Sequence, residues 1–263
     1  MTITAKDVQG LRQATGVGMM DAKKALEANN GDKEAATQWL RVQGLASAAK
    51  RADREAGEGA VAVVREGNVA AIVELRCETD FVAKSQEFTT LADEIAAQVC
   101  AEGEESVAHF KENIEQMLTT LKENISIGRV YRLEAGLDEV VDTYFHPQAG
   151  RGVNAVAVVV KGANNEVAHE LAVHIAFAKP LYLKREDVPK SEVDAERKTV
   201  EEITRNEGKP EAAIPKIIEG RLNGWFKERV LLEQPYVKDE KETVQQFLKG
   251  ATISAYAQVV IGG

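Results

Sequence analysis

The chain has 263 residues, of which 44 % are hydrophobic and 29 % charged, the balance of an ordinary soluble globular protein of about one to three domains. Its 33 Lys plus Arg against 42 Asp plus Glu leave a formal net charge of −9, with the basic residues scattered, which argues against direct nucleic-acid binding. No apolar run approaches the ~18 residues of a membrane span, the opening Met1-Thr2-Ile3-Thr4-Ala5-Lys6-Asp7 lacks the pattern of a signal peptide, and Cys77 and Cys100 are too few for a disulfide framework or a cysteine zinc site. The expectation is a cytoplasmic protein with reduced thiols and no membrane partner.

The first fifty residues read as three short helices. Residues 4–13 carry Val8 and Leu11 at helical spacing, with Thr4 and Asp7 able to form a capping box. Gly16 and Gly18 break that helix, and Asp21 is placed to cap a second one through Ala28. Asn29-Asn30-Gly31-Asp32 is turn chemistry ending in a new cap, and residues 33–42 carry Ala36, Trp39 and Leu40 at helical spacing. Residues 45–59, rich in Ala, Gly, Arg, Lys and Glu, read as a helical extension running into a linker.

From residue 60 the period becomes that of strands. Residues 60–64 and 69–75 are β-prone runs separated by Arg65-Glu66-Gly67-Asn68, a hairpin signal, and a helix over 87–100 follows with Leu91, Ile95 and Val99 on one face. The unit then repeats: strands over 140–145 and 153–160, and a helix over 166–178 in which Leu171-Ala172-x-x-Ile175-Ala176 matches Leu91-Ala92-x-x-Ile95-Ala96. Residues 191–235 interrupt the second copy with an antiparallel helical hairpin. Its seam runs through Val193, Val200 and Ile203 on one helix and Ile214, Ile218, Leu222 and Trp225 on the other, turning at Gly208-Lys209-Pro210. Residues 252–261 make a final strand. The expected fold class is α+β with antiparallel sheets. Its divisions are an N-terminal three-helix unit over 1–54, a core subdomain over 55–139, a second core subdomain over 140–190 and 236–263, and the coiled-coil-like hairpin over 191–235.

No catalytic pattern emerges. The four histidines, His109, His146, His169 and His174, form no His-Glu-x-x-His pair, and no Gly-x-x-x-x-Gly-Lys-Ser/Thr, Gly-x-Gly-x-x-Gly or Gly-x-Ser-x-Gly occurs. No metal ligand set and no cofactor site is therefore predicted, and the chain does not read as an enzyme. Three segments break local rules instead. Thr79-Asp80-Phe81-Val82 sets a Phe in a strand-to-helix connection, where it either anchors the loop in the core or projects as a contact. Tyr144-Phe145-His146-Pro147 opens a hairpin loop that reads as longer than its counterpart at 65–68, and long loops carry function more often than short ones. Met19-Met20 are either gap-filling core or a soft contact surface; adjacent helical residues cannot share a face, so at least one should leave the core.

Taken together, Leu11-Arg12-x-x-Thr15-Gly16-x-Gly18-Met19-Met20-Asp21-x-Lys23-Lys24-Ala25-Leu26, Thr79-Asp80-Phe81-Val82, the duplicated core, His146 and the helical hairpin resemble the bacterial elongation factor Ts family over essentially the whole chain. The resemblance implies a translation factor that binds the GDP- or GTP-bound GTPase elongation factor Tu. It would speed GDP release by disturbing the magnesium and phosphate site, so that GTP can reload. It further implies that Thr79, Asp80, Phe81, Val82 and His146 form the exchange wedge, and that Arg12, Met19 and Met20 grip the nucleotide domain. The hairpin would reach another domain of the partner, and a dimeric assembly of the complex is one arrangement the family allows. Many members continue past the last strand into a C-terminal helix that touches the partner; the sequence stops at Gly263, so that contact is not expected here. The three-helix unit also resembles ubiquitin-associated modules, which leaves a second reading, such a module fused to an unrelated α+β domain. A third is an enzyme resting on Cys77 or Cys100 with a distant His.

Overall fold

The computed structural model describes residues 3–262; Met1 and Thr2 of the opening motif and Gly263 of the last predicted subdomain lie outside the described residues. The chain separates into two compact units, one of Met1–Arg132, Phe145–Ala155 and Val259–Gly263, the other of Leu133–Tyr144 and Val156–Gln258.

The first unit opens with α1 (Ala5–Thr15), α2 (Met19–Ala28) and α3 (Lys33–Ala49). The capping box forms: Thr4 N donates to Asp7 Oδ2 at 3.1 Å and Asp7 N to Thr4 Oγ1 at 3.3 Å. Gly16 closes α1 in the left-handed region, φ 72°, donating its N–H to Arg12 O at 2.8 Å. Contrary to the sequence reading, Asp21 is not the cap of α2. Gly18 holds that position, and Asp21 sits inside the first turn, where its charge faces the positive end of the helix dipole. Val8, Leu11, Val17, Ala22, Ala25, Leu26, Ala36 and Leu40 make a small core of their own.

Strands β1 (Glu58–Glu66) and β2 (Val69–Cys77) pair antiparallel, Ala62 opposite Val73, through a turn at Gly67. One turn of helix, α4 (Asp80–Ala83), precedes α5 (Gln86–Glu102), whose Phe88, Leu91, Ile95 and Val99 cover Ala62, Ala71, Val73 and Leu75. Residues 104–134 carry no element in the sequence reading. The structure sets there a 3₁₀ segment (Glu104–Phe110), α6 (Lys111–Thr120) and β3 (Ser126–Glu134), which completes a sheet of order β1-β2-β3. Glu74 of β2 is buried in this unit. Burial works against its charge, but Arg129 donates Nε and Nη2 at 2.9 and 2.8 Å and its backbone N–H at 3.0 Å. Together with Arg76 at 2.9 Å, these bonds outweigh burial and leave the carboxyl at about 2.

Strands β4 (Glu139–Gln148), β5 (Arg151–Lys161) and β8 (Thr252–Val260) form the second sheet in the order β4-β5-β8; Phe145–Ala155 and the residues from Val259 group with the first unit. In the second unit α7 (Asn165–Ala178), capped by Asn164, lays Leu171, Ala172 and Ile175 over Val156, Val158 and Val160. The strand-strand-helix duplication thus appears in both copies. Helices α8 (Lys190–Asn206) and α9 (Ile214–Arg229) form the hairpin around Val200, Ile214, Ile218 and Leu222. Ile203 does not join that seam; it is 46 % exposed. Thr204, four residues after Val200, is fully buried in its place because its hydroxyl donates to Val200 O at 2.7 Å. Strands β6 (Pro235–Tyr236) and β7 (Asp239–Thr243) and α10 (Val244–Phe247) close the unit. There His174, fully buried on α7, accepts the Val237 N–H at Nδ1 (3.3 Å), so Nε2 carries the hydrogen donated to Gln234 Oε1 at 3.0 Å. Burial holds this imidazole below its ordinary pKa, the Gln234 bond opposing.

Candidate functional site

Thr79–Val82, His146, Arg12, Met19 and Met20 occupy three loci in the first unit, while Tyr144 of the Tyr144–Pro147 segment falls in the second unit. The first is the connection from β2 to α5. Thr79 adopts an extended φ/ψ of −124°/151° and caps α4, its Oγ1 accepting the Val82 N–H at 3.4 Å. Ala83 is fully buried and Val82 packs half-buried against the same core. Helical steps of 100° therefore turn Phe81 the other way, and its side chain is 84 % exposed. Of the two alternatives for Phe81, core anchor or projection, the structure has the projection. Downstream, the Ser85 hydroxyl donates to Val82 O at 2.8 Å and accepts the Phe88 N–H at 3.4 Å, so the end of α4 is tied to the start of α5. Asp80 faces Lys84 at 2.5 Å, one turn on; that hydrogen bond, and more weakly the charge of Arg151, hold its carboxyl below the usual range.

The second locus is the β4–β5 hairpin. The expectation of a long loop is overturned: β4 continues through His146 and Pro147 to Gln148, leaving a two-residue turn, Ala149 (φ 52°) and Gly150 (φ 85°). Paired positive φ values are those of the tight hairpin turn whose twist matches its strands. Pro147 is tolerated because β4 is an edge strand. His146 is thus an exposed strand residue near the hairpin tip. The tip is fastened to β1, Arg151 donating to Gly59 O and Glu58 Oε2, both at 2.6 Å. Gly152 lies so close that a Cβ there would come within 2.1 Å of Val61 O.

The third locus is the junction of α1 and α2. Arg12 is exposed on the last turn of α1, and Met19 and Met20 open α2 with 47 % and 73 % exposure; both leave the small core, whose place at the junction Val17 fills. Sequence reasoning missed Glu123 and Asn124, in the unassigned stretch between α6 and β3. Glu123 accepts the N–H groups of Glu78 and Thr79 at 3.0 Å each, so the segment ahead of α4 is held from a residue with no local signal of these partners.

Nucleophilic chemistry at the thiols has no support. Burial, and after it the charge of Glu123, pushes Cys77 up to about 12, and burial raises Cys100 as well. Among the described residues no His, Cys, Asp or Glu group is arranged to hold a metal ion, and no helix is long and apolar enough to cross a membrane. A cleft of about 270 Å³ lies between α3 and α6, lined by Thr15, Leu40, Arg41, Glu115 and Thr119; it contains neither His nor Cys.

Comparison with known proteins identifies the family. The family profile described as Elongation factor TS matches residues 78–262, a span that begins just after β2 and includes the Thr79–Val82 segment and the β4–β5 hairpin. The chain is 44 % identical to an elongation factor Ts of Clavibacter michiganensis subsp. michiganensis, over 98 % of each chain. It is 44 % identical to one of Leifsonia xyli subsp. xyli, over 99 % of each, and 43 % identical to one of Mycobacterium ulcerans, over 98 % of each. A ubiquitin-associated module joined to an unrelated domain leaves that full-length similarity without an account.

Proposed function

The chain belongs to the elongation factor Ts family, and from that premise we propose that it is a guanine-nucleotide exchange factor for elongation factor Tu in translation, a protein that works by binding and makes or breaks no covalent bond. The observation that carries the proposal is Phe81, a large aromatic side chain exposed on a short, well-anchored turn beside the ion pair of Asp80 and Lys84. In this reading Thr79, Asp80, Phe81 and Val82, with His146 from the hairpin tip, enter near the magnesium and phosphate site of the partner, while Arg12, Met19 and Met20 hold its nucleotide domain.

The physics requires no chemistry on the nucleotide. Mg²⁺ keeps near-ideal octahedral coordination and bridges protein to phosphates, so a wedge that shifts the surrounding backbone weakens GDP without touching it. Burying a Phe is worth roughly 1.5–3 kcal/mol, whereas a ten-thousandfold acceleration needs about 5.4 kcal/mol. Phe81 therefore acts together with Asp80, His146 and the N-terminal grip. Linkage adds a condition: bound nucleotide must weaken this protein's hold on elongation factor Tu by the factor by which the protein weakens nucleotide. The exposed helical hairpin, α8 and α9, serves as the arm toward a further domain of the partner or toward a second complex.

Stopped-flow release of a fluorescent GDP analogue from elongation factor Tu tests the assignment. Substoichiometric protein should accelerate release and leave GTP unhydrolysed on its own. Absence of acceleration at micromolar protein overturns it.

A further inference from the structure

Between α6 and β3 the chain turns through residues 121–124, where Lys122 takes a left-handed φ of 60° and its neighbours reach into distant elements. Glu123 devotes its carboxylate to the segment ahead of α4. Oε2 accepts the N–H groups of Glu78 and Thr79 at 3.0 Å each, and Oε1 accepts the Thr79 hydroxyl at 2.5 Å. Asn124 answers in the other direction, its N–H donating to Glu78 Oε1 at 2.7 Å. The Asn124 amide also donates to Ala52 O and Arg54 O, at 3.1 and 2.8 Å, in the stretch that follows α3. Lys122 Nζ meets Asp21 Oδ2 at 2.7 Å, on the residue next to Met20.

Resting on the exchange reading, we propose that Glu123 is a positioning residue for the wedge. It fixes Thr79, and through that cap the direction of Phe81, from the same turn that fastens the N-terminal helical unit. A hydroxyl has one hydrogen to donate. With that hydrogen committed to Glu123, the oxygen lone pairs of Thr79 are left facing the Val82 N–H, which selects the rotamer that caps α4. A four-residue helix has no stability of its own, so its orientation depends on such anchors. Bonds to an ionised carboxylate are the strong kind. A projecting ring delivers its burial to a partner only when it is held in the binding orientation beforehand; otherwise ordering it costs affinity.

The test is a double-mutant cycle on full-length protein with elongation factor Tu and a fluorescent GDP analogue, comparing wild type, Phe81→Ala, Glu123→Ala and the double variant. Glu123→Ala is expected to lower the saturating exchange rate about tenfold. In the Phe81→Ala background, loss of Glu123 should change the rate by less than about twofold, because the residue acts through that ring. Hydrogen exchange should show the Glu78 and Thr79 amides losing protection. Glu123→Gln, which keeps an acceptor oxygen, should recover part of the rate; it takes the place of the alanine variant in the cycle if that variant does not fold. An equal loss in both backgrounds, or a wild-type rate for Glu123→Ala, overturns the positioning role while leaving the exchange reading intact. A wild-type rate for Phe81→Ala alone defeats the wedge itself.

Discussion

Replacing Phe81 by alanine separates the ring's part in the fold from its part in exchange. The side chain is 84 % exposed, so truncation removes little packing, and surface changes of this kind stay within about 0.5 kcal/mol of wild-type stability. On elongation factor Tu the same ring still has most of its area to bury. Full burial is worth roughly 1.5–3 kcal/mol, and the exposed 84 % accounts for about 1.3–2.5 kcal/mol of that. At 1.36 kcal/mol per decade the exchange rate constant should fall roughly tenfold to seventyfold. Stopped-flow GDP release at subsaturating protein reads the rate, and urea unfolding followed by circular dichroism reads the fold. A variant that exchanges at the wild-type rate refutes the wedge. A variant destabilised by about 2 kcal/mol or more refutes the exposure on which the calculation rests.

Met20→Ala should act on binding rather than release. With 73 % of the side chain exposed, about 1.1–2.2 kcal/mol is available at an interface, so the half-saturating concentration should rise roughly sixfold to fortyfold while the maximal rate holds. Arg129→Ala leaves the buried Glu74 with Arg76 as its remaining cation. Urea unfolding should show a loss on the order of 3–5 kcal/mol, nearer the lower figure, and a loss under about 1 kcal/mol would contradict the pairing. His174 resists protonation when folded, whereas the unfolded imidazole takes its proton near 6.5. The folded state binds fewer protons below that pH, and its stability should fall as pH drops from about 6.5. His174→Gln should flatten that dependence by up to about 1.4 kcal/mol per pH unit; an unchanged slope places the titrating group elsewhere.

Local chemistry was legible wherever a residue's partners lie within a few positions. The Thr4–Asp7 capping box, the Gly67 turn and the Leu91/Ile95 and Leu171/Ile175 faces all depend on such spacing. So did the likeness of the two motifs around Met20 and Phe81. Helix α6 had a readable signal, Ile114, Met117, Leu118 and Leu121 at helical spacing, whereas β3 did not, because Ile127, Val130 and Leu133 recur every third residue rather than every second. The seam of the helical hairpin misled because apolarity suggested Ile203, while a self-satisfied threonine can occupy a buried position equally well. The sequence reads as a loop at His146 because the neighbouring Pro147 signals a turn, but an edge strand has no ladder bond there for Pro to break. Glu123 was beyond reach for a different reason. Its partners are two main-chain N–H groups and one hydroxyl, 44 and 45 residues away, and nothing in a lone glutamate foretells them.

The bare Cα of Gly152 has a consequence for variation in this region. Since even one methyl group would strike the Val61 carbonyl and the Phe145 ring, the seating of the His146 hairpin on β1 is a close backbone fit with the Phe145 ring packed beside it. Gly152→Ala should therefore act as a shim, lifting the tip from β1 while every wedge residue keeps its identity. Exchange activity lost in such a variant would measure spacing alone, and a compensating change would have to come from Phe145 rather than from the residues proposed to contact the GTPase.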